Sequence, residues 1–497
     1  MPDYLLSIDQ GTTSTRAVVY DADSFRELGI GQRELRQHYP KPGWVEHDAG
    51  EIWRSVRQVV TEAIQKANLS PAQITAIGIT NQRETVVIWD RSTGQPVAPA
   101  IVWQDRRTTD FCREREKDRP WLQEKTGLIL DPYFSATKIR WLLEQDSSLR
   151  TRAEKGELAC GTIDSFLIWN LTRGTRHLTD ASNASRTLLL NLYSLQWDDE
   201  LCRYFSIPKQ LLPSVQPSVS DFGSTKGLDF LPDGIPITGV AGDQQAALFG
   251  QGAFSPGEAK CTYGTGAFFL LHTGTQAILS KHHLLTTVAA MTDSQPKYAL
   301  EGSVFVAGAA IQWLRDGLKL FSESPQSEAL AAQSDPSQPV IFVPAFVGLG
   351  SPYWIPEARG AIFGITRGTT GAELARAALE GVAFQVWDLL EAARKDLGHS
   401  LSALRVDGGM ARNDWFLHCQ ADTLGLPVLR SPFPESTALG AGFLAALGSK
   451  LKSSEAELKV VLTEAKRFEP RLEESERQSR LLHWRNAINA VIGIARG

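Results

Sequence analysis

Ser7-Ile-Asp-Gln-Gly-Thr-Thr-Ser-Thr-Arg16 lies between two apolar runs, Tyr4–Ile8 and Ala17–Tyr20. Polar residues between two such runs read as the tip of a β-hairpin. Gly11 lets the backbone approach a bulky anion, and successive N–H groups of the turn form an anion-binding nest. Thr12, Thr13 and Ser14 add hydroxyl donors, and Arg16 adds a fixed positive charge. Asp9 is the odd member, because a carboxylate beside phosphates repels them unless a divalent cation stands between. It therefore reads as a Mg²⁺ ligand acting through water, since Mg²⁺ dehydrates reluctantly. Taken alone, the stretch is better read as an ordinary polar turn. A second copy downstream decides the matter.

That copy is Lys260-Cys-Thr-Tyr-Gly264-Thr265-Gly266-Ala-Phe268-Phe-Leu-Leu-His272, again strand, Gly-Thr turn, strand. The glycine-rich segment Gly250–Gly257 just before it marks a domain boundary, dividing the chain into 1–250 and 251–497. Each half then opens with a phosphate-type hairpin. The duplication predicts two related α/β domains that present their hairpins to a shared cleft and grip one nucleotide from both sides. A length of 497 residues is enough for each half to bury its own core.

Composition removes several function classes. A net charge of −5 with mixed signs gives no basic field for nucleic acid and no polybasic stripe for a membrane. The five cysteines are scattered without a C-x-x-C, which points to reduced thiols. The N-terminus lacks a basic and apolar leader, and no apolar stretch is long enough to span a bilayer, so a cytoplasmic location is expected. A Walker loop, H-E-x-x-H and clustered zinc ligands are absent. Asp221-Phe-Gly223 matches a protein-kinase tripeptide but lacks the H-R-D and V-A-I-K stretches that give it meaning.

In chain order, Asp48 caps a helix running to about Ala67. A strand at Ile74–Thr80 empties into Asn81-Gln82-Arg83-Glu84 before a second strand, Thr85–Trp89. Ligands of open α/β sheets bind at the carboxyl ends of strands, so Arg83 and Glu84 read as site residues rather than a surface ion pair. Trp103 closes another strand and serves equally as site or core. Asp131–Lys138 opens a helix, in whose first turn Lys138 is expected to be solvated. Thr179–Arg186 is a polar loop with no evident role, and Leu212–Pro236 reads as a surface excursion. A strand from Ile237 ends in Gly242, placing Asp243 and Gln244 at a helix start. Asp243 is there a candidate general base as well as a candidate cap. Small residues at Ala307-Gly308, ahead of Ile311-Gln312, permit a close ligand. A long amphipathic helix spans about Gly371–Leu397. Gly408-Gly409 before a new helix suits phosphates or an adenine edge. A small-residue helix at Thr437–Leu447 and a charged helix from about Glu473 follow.

Tyr133–Gln145 and Gly360–Glu380 look like the two signatures of the FGGY carbohydrate kinase family, which the chain resembles from end to end. Asn81–Glu84, Trp103, Asp131–Tyr133 and Gly242–Gln245 are similar to its glycerol-specific members. The resemblance implies an α/β fold of two actin-like (RNase H-like) ATPase domains with a deep interdomain cleft. It implies transfer of a phosphoryl group from ATP, with Mg²⁺, to glycerol, giving sn-glycerol 3-phosphate, and assembly as a homodimer or homotetramer. By matching positions, Arg83, Glu84, Tyr133, Asp243 and Gln244 supply polar substrate contacts, Trp103 and Phe268 an apolar wall, and Asp243 the general base. Thr12, Thr13, Ser14, Arg16, Thr265, Gly308, Gln312, Gly409 and Asn413 match nucleotide contacts. A kinase for another small polyol or ketose is the alternative, and a nucleotide-binding regulatory protein of actin-like fold a more distant one. Some bacterial members bind fructose 1,6-bisphosphate on a glycine-rich loop ending in arginine. Ser224–Gly234 lacks both features, so inhibition through that site is not expected.

Overall fold

In the computed structural model, which describes residues 2–462 and 465–497, two mixed sheets carry one strand order twice. The first begins with the hairpin of β1 (Tyr4–Gln10) and β2 (Ser14–Asp21), with β3 (Glu27–Glu34) antiparallel to β2. Then β4 (Ile74–Asn81) lies parallel to β1 and β5 (Ile237–Gly242) parallel to β4. The order is β5-β4-β1-β2-β3.

The second sheet uses β6 (Ala259–Tyr263), β7 (Ala267–Gly274), β8 (Leu285–Val288), β9 (Tyr298–Val304), β10 (Leu404–Asp407), β11 (Val428–Arg430) and β12 (Lys466–Phe468). Its order is β8-β9-β7-β6-β10-β11-β12. The inner strands β9-β7-β6-β10-β11 repeat the directions of β3-β2-β1-β4-β5, antiparallel on the hairpin side and parallel on the other. The duplication read from two hairpins therefore extends to whole sheets.

Local chemistry explains the long helices. Asp48 accepts a hydrogen bond from Gly50 N at 2.8 Å and starts the helix Ala49–Lys66. Its buried Ile52, Val56, Val59, Val60 and Ala63 recur at helical spacing and face the first sheet. The helix Gly371–Leu397 opens on a Thr370/Glu373 capping box and stops at Gly398 in the left-handed conformation.

One helix crosses between the halves. Ser436–Gly448 follows β11 of the second sheet but packs on the first, where Leu439, Phe443 and Leu444 share a core with Leu5, Val18 and Tyr20. A Cβ at Gly78 of β4 would come within 2.1 Å of Ala441 O, so only glycine admits this helix so closely.

Three local expectations change. Lys138 is wholly buried rather than solvated, because its amine donates to the carbonyls of Pro132, Tyr133 and Phe134 at 2.9, 2.6 and 3.0 Å. The strand after Glu84 begins at Val87, since Glu84 has φ 59° and Thr85 N turns back to Arg83 O at 2.7 Å. A 3₁₀ turn, Gly409–Arg412, intervenes before the helix Asp414–Leu424. Among the described residues no helix is long and apolar enough to cross a membrane.

Candidate active site

Parallel strands β1, β4 and β5 deliver Asp9, Arg83–Glu84 and Asp243 to one edge of the first sheet. There Arg83 reaches across to β9 of the second sheet, Nη1 to Glu301 Oε2 at 2.6 Å and Nη2 to Glu301 Oε1 at 3.0 Å. Its Nε lies 3.2 Å from Asp243 Oδ1. Glu84 accepts from Arg186 Nε at 2.7 Å, and Arg186 Nη2 donates to Glu301 Oε1 at 2.9 Å. Arg83, Glu84, Arg186 and Glu301 are at most 2% exposed along their side chains, whereas Asp243 keeps 29%.

Buried charges at this density persist only when paired and hydrogen-bonded. Burial works against the charge of Glu301, but Arg186 and Arg83 outweigh it and hold its pKa below the ordinary value. Burial raises Glu84 despite Arg83 and Arg186. It also raises Asp243, against the pull of Arg83 and Lys260. A carboxylate with an elevated pKa, anchored by a guanidinium and still partly exposed, is equipped to take a proton from a hydroxyl.

The sequence gives neither Glu301 nor Arg186 a site role. The one signal in the sequence is Glu301 itself, the lone charge in the run Tyr298–Val304, and the structure buries that strand at every position, which demands a cationic partner. The Thr179–Arg186 loop acquires a task here. Asp180 Oδ1 accepts from Asn183 N at 2.9 Å, and Asn183 and Asn81 exchange side-chain amide bonds at 3.0 Å. The loop is thereby tied to the end of β4, where it holds Arg186 against Glu84.

Trp103, Tyr133 and Phe268 lie together. Trp103 Nε1 donates to Thr12 Oγ1 at 2.8 Å, and its ring lies 5.6 Å from Tyr133 and 6.3 Å from Phe268. The three carbonyls gripped by Lys138 belong to the turn that carries Tyr133. Burial and Glu84 push the Tyr133 hydroxyl well above its usual pKa, so it stays protonated. The three rings also line a cavity of about 530 Å³ together with Phe305 and Trp354, and none of Arg83, Glu84 and Asp243 lines it. Gln244, beside Asp243, is nearly buried and accepts from Lys260 Nζ.

At the first hairpin tip, Gly11 N bonds Ser14 O at 2.9 Å, Thr13 is exposed, and Thr12 and Ser14 are half-buried. Arg16 is already paired, with Gln32 at 3.1 Å and with Glu435. Burial, with a contribution from Asp243 and against Arg16, pushes Asp9 up to about 6. On the second tip, Gly308 N donates to Gly264 O at 3.0 Å and Ala309 N to Thr265 O at 3.1 Å. Thr265, Gln312 and Gly409 are exposed at the same end of the second sheet. Asn413 caps the helix Asp414–Leu424, its Oδ1 accepting from Phe416 N at 2.7 Å.

Two glycine-tipped hairpins above a guanidinium-anchored carboxylate define a small-molecule phosphotransferase built on a duplicated α/β fold. The chain belongs to the FGGY family of carbohydrate kinases, whose N-terminal domain matches residues 4–250 and whose C-terminal domain matches residues 259–449. A glycerol kinase of Deinococcus radiodurans is 53% identical over 98% of this chain and 97% of its own. One from Bacillus licheniformis is 51% identical over 99% of both chains. A Plasmodium falciparum glycerol kinase solved with ADP superposes with TM-score 0.93 at 38% identity, covering 99% of this chain and 98% of its own.

Proposed function

We propose that this protein phosphorylates glycerol with ATP, giving sn-glycerol 3-phosphate and ADP. The observation that carries the reading is the polar set Arg83, Glu84, Asp243 and Gln244 beside the Trp103–Tyr133–Phe268 wall. Glycerol offers three hydroxyls on a short carbon chain, and this set offers donors and acceptors for the hydroxyls with rings for the carbons. Asp243 accepts the proton of the attacking hydroxyl. Arg83 holds its carboxylate in place, and Arg186 orients Glu84 for a second hydroxyl.

On the nucleotide side, Thr12, Thr13, Ser14, Thr265, Gly308, Gln312, Gly409 and Asn413 hold ATP between the halves 1–250 and 251–497. Arg16 reaches phosphate only if its contact with Glu435 yields. Mg²⁺ fits beside Asp9, whose carboxylate lies in the field of Asp243, so a cation relieves their repulsion. Among the described residues no group of three or more acidic, His or Cys side chains is arranged to hold a metal ion, so water and phosphate would complete the ion's shell. When bound, the ion neutralises phosphate charge as the group transfers. The remaining catalysis is positioning by the chain's own residues.

The test is ADP release with Mg-ATP and, separately, glycerol, dihydroxyacetone, xylulose, ribulose and gluconate, with chiral analysis of the product. Turnover of glycerol far above the others, giving the sn-3 ester, supports the reading. Preference for a ketose overturns it in favour of a related kinase, whose larger acceptor would use the cavity beside the three rings.

A further inference from the structure

We infer that Lys260 is a positioning residue of the acceptor site, fixing the Gln244 side chain so that its amide NH₂, not its oxygen, faces the substrate. The inference rests on the acceptor site proposed above and deepens it. Lys260 lies on β6 of the second sheet and is 0% exposed, yet its Nζ reaches the helix Asp243–Gly250 that belongs with the first sheet. There it donates to Gln244 Oε1, while Thr262 Oγ1 takes a second bond at 3.0 Å.

The direction of that bond is chemically forced. An ammonium has donors only, so the oxygen of Gln244 must face it, and a flipped amide would set donor against donor. Nε2 is then the end left for the cleft, next to Asp243. Burial lowers the pKa of Lys260, and the carboxylates facing it, Asp407 first and Asp243 also, oppose that shift and support its charge. Asp407 lies opposite Thr262 in the register of β6 and β10.

This orientation suits an attacking hydroxyl. Its oxygen accepts from Gln244 Nε2 while its one proton is offered to Asp243. With the amide reversed, Gln244 and Asp243 would both be acceptors competing for that proton. Lys260 thus acts through Gln244, and it does so from the other half of the molecule.

Removing Lys260 alone strands Asp407, so the comparison is made in the Asp407→Asn background. Adding Lys260→Met there is expected to raise KM for glycerol about tenfold, the size of one lost hydrogen bond, and to leave KM for ATP unchanged. The same addition to an Asp407→Asn/Gln244→Leu protein is expected to change neither, since the residue acted upon is gone. Gln244→Glu, whose carboxylate pairs with Lys260 but leaves no donor, is expected to fold normally and show the raised glycerol KM. An unchanged glycerol KM in Gln244→Glu overturns the inference. So does a Lys260→Met effect that persists without Gln244, or one that falls equally on ATP, which would mark a structural lysine. If the parent protein ignores glycerol but turns over another acceptor, the glycerol reading fails, and the same comparison is read on that acceptor.

Discussion

Arg83 of the first sheet and Glu301 of the second form a two-pronged ion pair, with N–O distances of 2.6 and 3.0 Å, entirely out of solvent. Parallel hydrogen bonds fix the plane of the guanidinium. The third nitrogen, Nε, is thereby aimed at Asp243, 3.2 Å away. Arg83 and, through it, Asp243 of one sheet are held by a carboxylate of the other, which couples the halves at the acceptor site proposed above.

Glu301→Ala leaves Arg83 and Arg186 short of a counter-charge in the interior. It is expected to lower stability by about 3–5 kcal/mol, the usual consequence of breaking a buried pair from one side. Urea unfolding measures this. A loss below about 1 kcal/mol would mean that the pair is solvated, as surface pairs are.

Arg186→Lys keeps the charge but loses the planar fork that spans Glu84 and Glu301. Steady-state kinetics are expected to show KM for glycerol raised about tenfold, with KM for ATP unchanged. Equal changes in both constants would show that Arg186 supports the fold rather than Glu84.

Gly308→Ala places a Cβ 2.6 Å from the Gly264 carbonyl, a backbone atom that cannot step aside. The second hairpin tip must shift, at a cost of about 1–3 kcal/mol typical of overpacking. ATP affinity is expected to fall by calorimetric titration while glycerol affinity holds. Unaltered ATP binding would remove this tip from the nucleotide site.

Much of the fold was legible because its signals are local. Asp48 before an amphipathic run, the amphipathic run Gly371–Leu397, and apolar runs flanking Gly11 and Gly264 are signals carried within single elements, and each element formed where they put it. The helix Ser436–Gly448 was legible as a helix of small residues, but nothing in its sequence says that it packs on the opposite sheet. Glu301, Arg186 and Lys260 escaped for a related reason. Their meaning lies in partners 218, 115, 102 and 16 residues away, and no spacing rule encodes such pairs. Lys138 misled because a lysine in a first helical turn ordinarily meets water, and here the preceding turn wraps its amine instead.

Asp388, on the helix Gly371–Leu397, is buried against Trp484 Nε1 at 2.9 Å, and burial pushes its pKa up to about 7 from 3.8. A carboxyl raised on folding stabilises the protein fully below its unfolded pKa, and that stability is lost as pH rises from about 4 through about 7. Asp388→Asn keeps an acceptor for Trp484 and carries no charge. It is expected to be more stable than the parent by about 1–3 kcal/mol at pH 8, with the advantage vanishing toward pH 4. Thermal unfolding across this range measures it, and a gain independent of pH would contradict the assignment.

In the proposed reaction Asp243 removes the proton from the attacking hydroxyl. The most direct measurement is the single-turnover rate of glycerol phosphorylation by Asp243→Asn, alongside calorimetric affinities for glycerol and ATP. The side chain keeps its shape and both ligands should still bind, while the rate falls about 10²–10⁴-fold, the usual contribution of a positioned base. A rate within a few-fold of the parent, with binding intact, would contradict the claim and require another base.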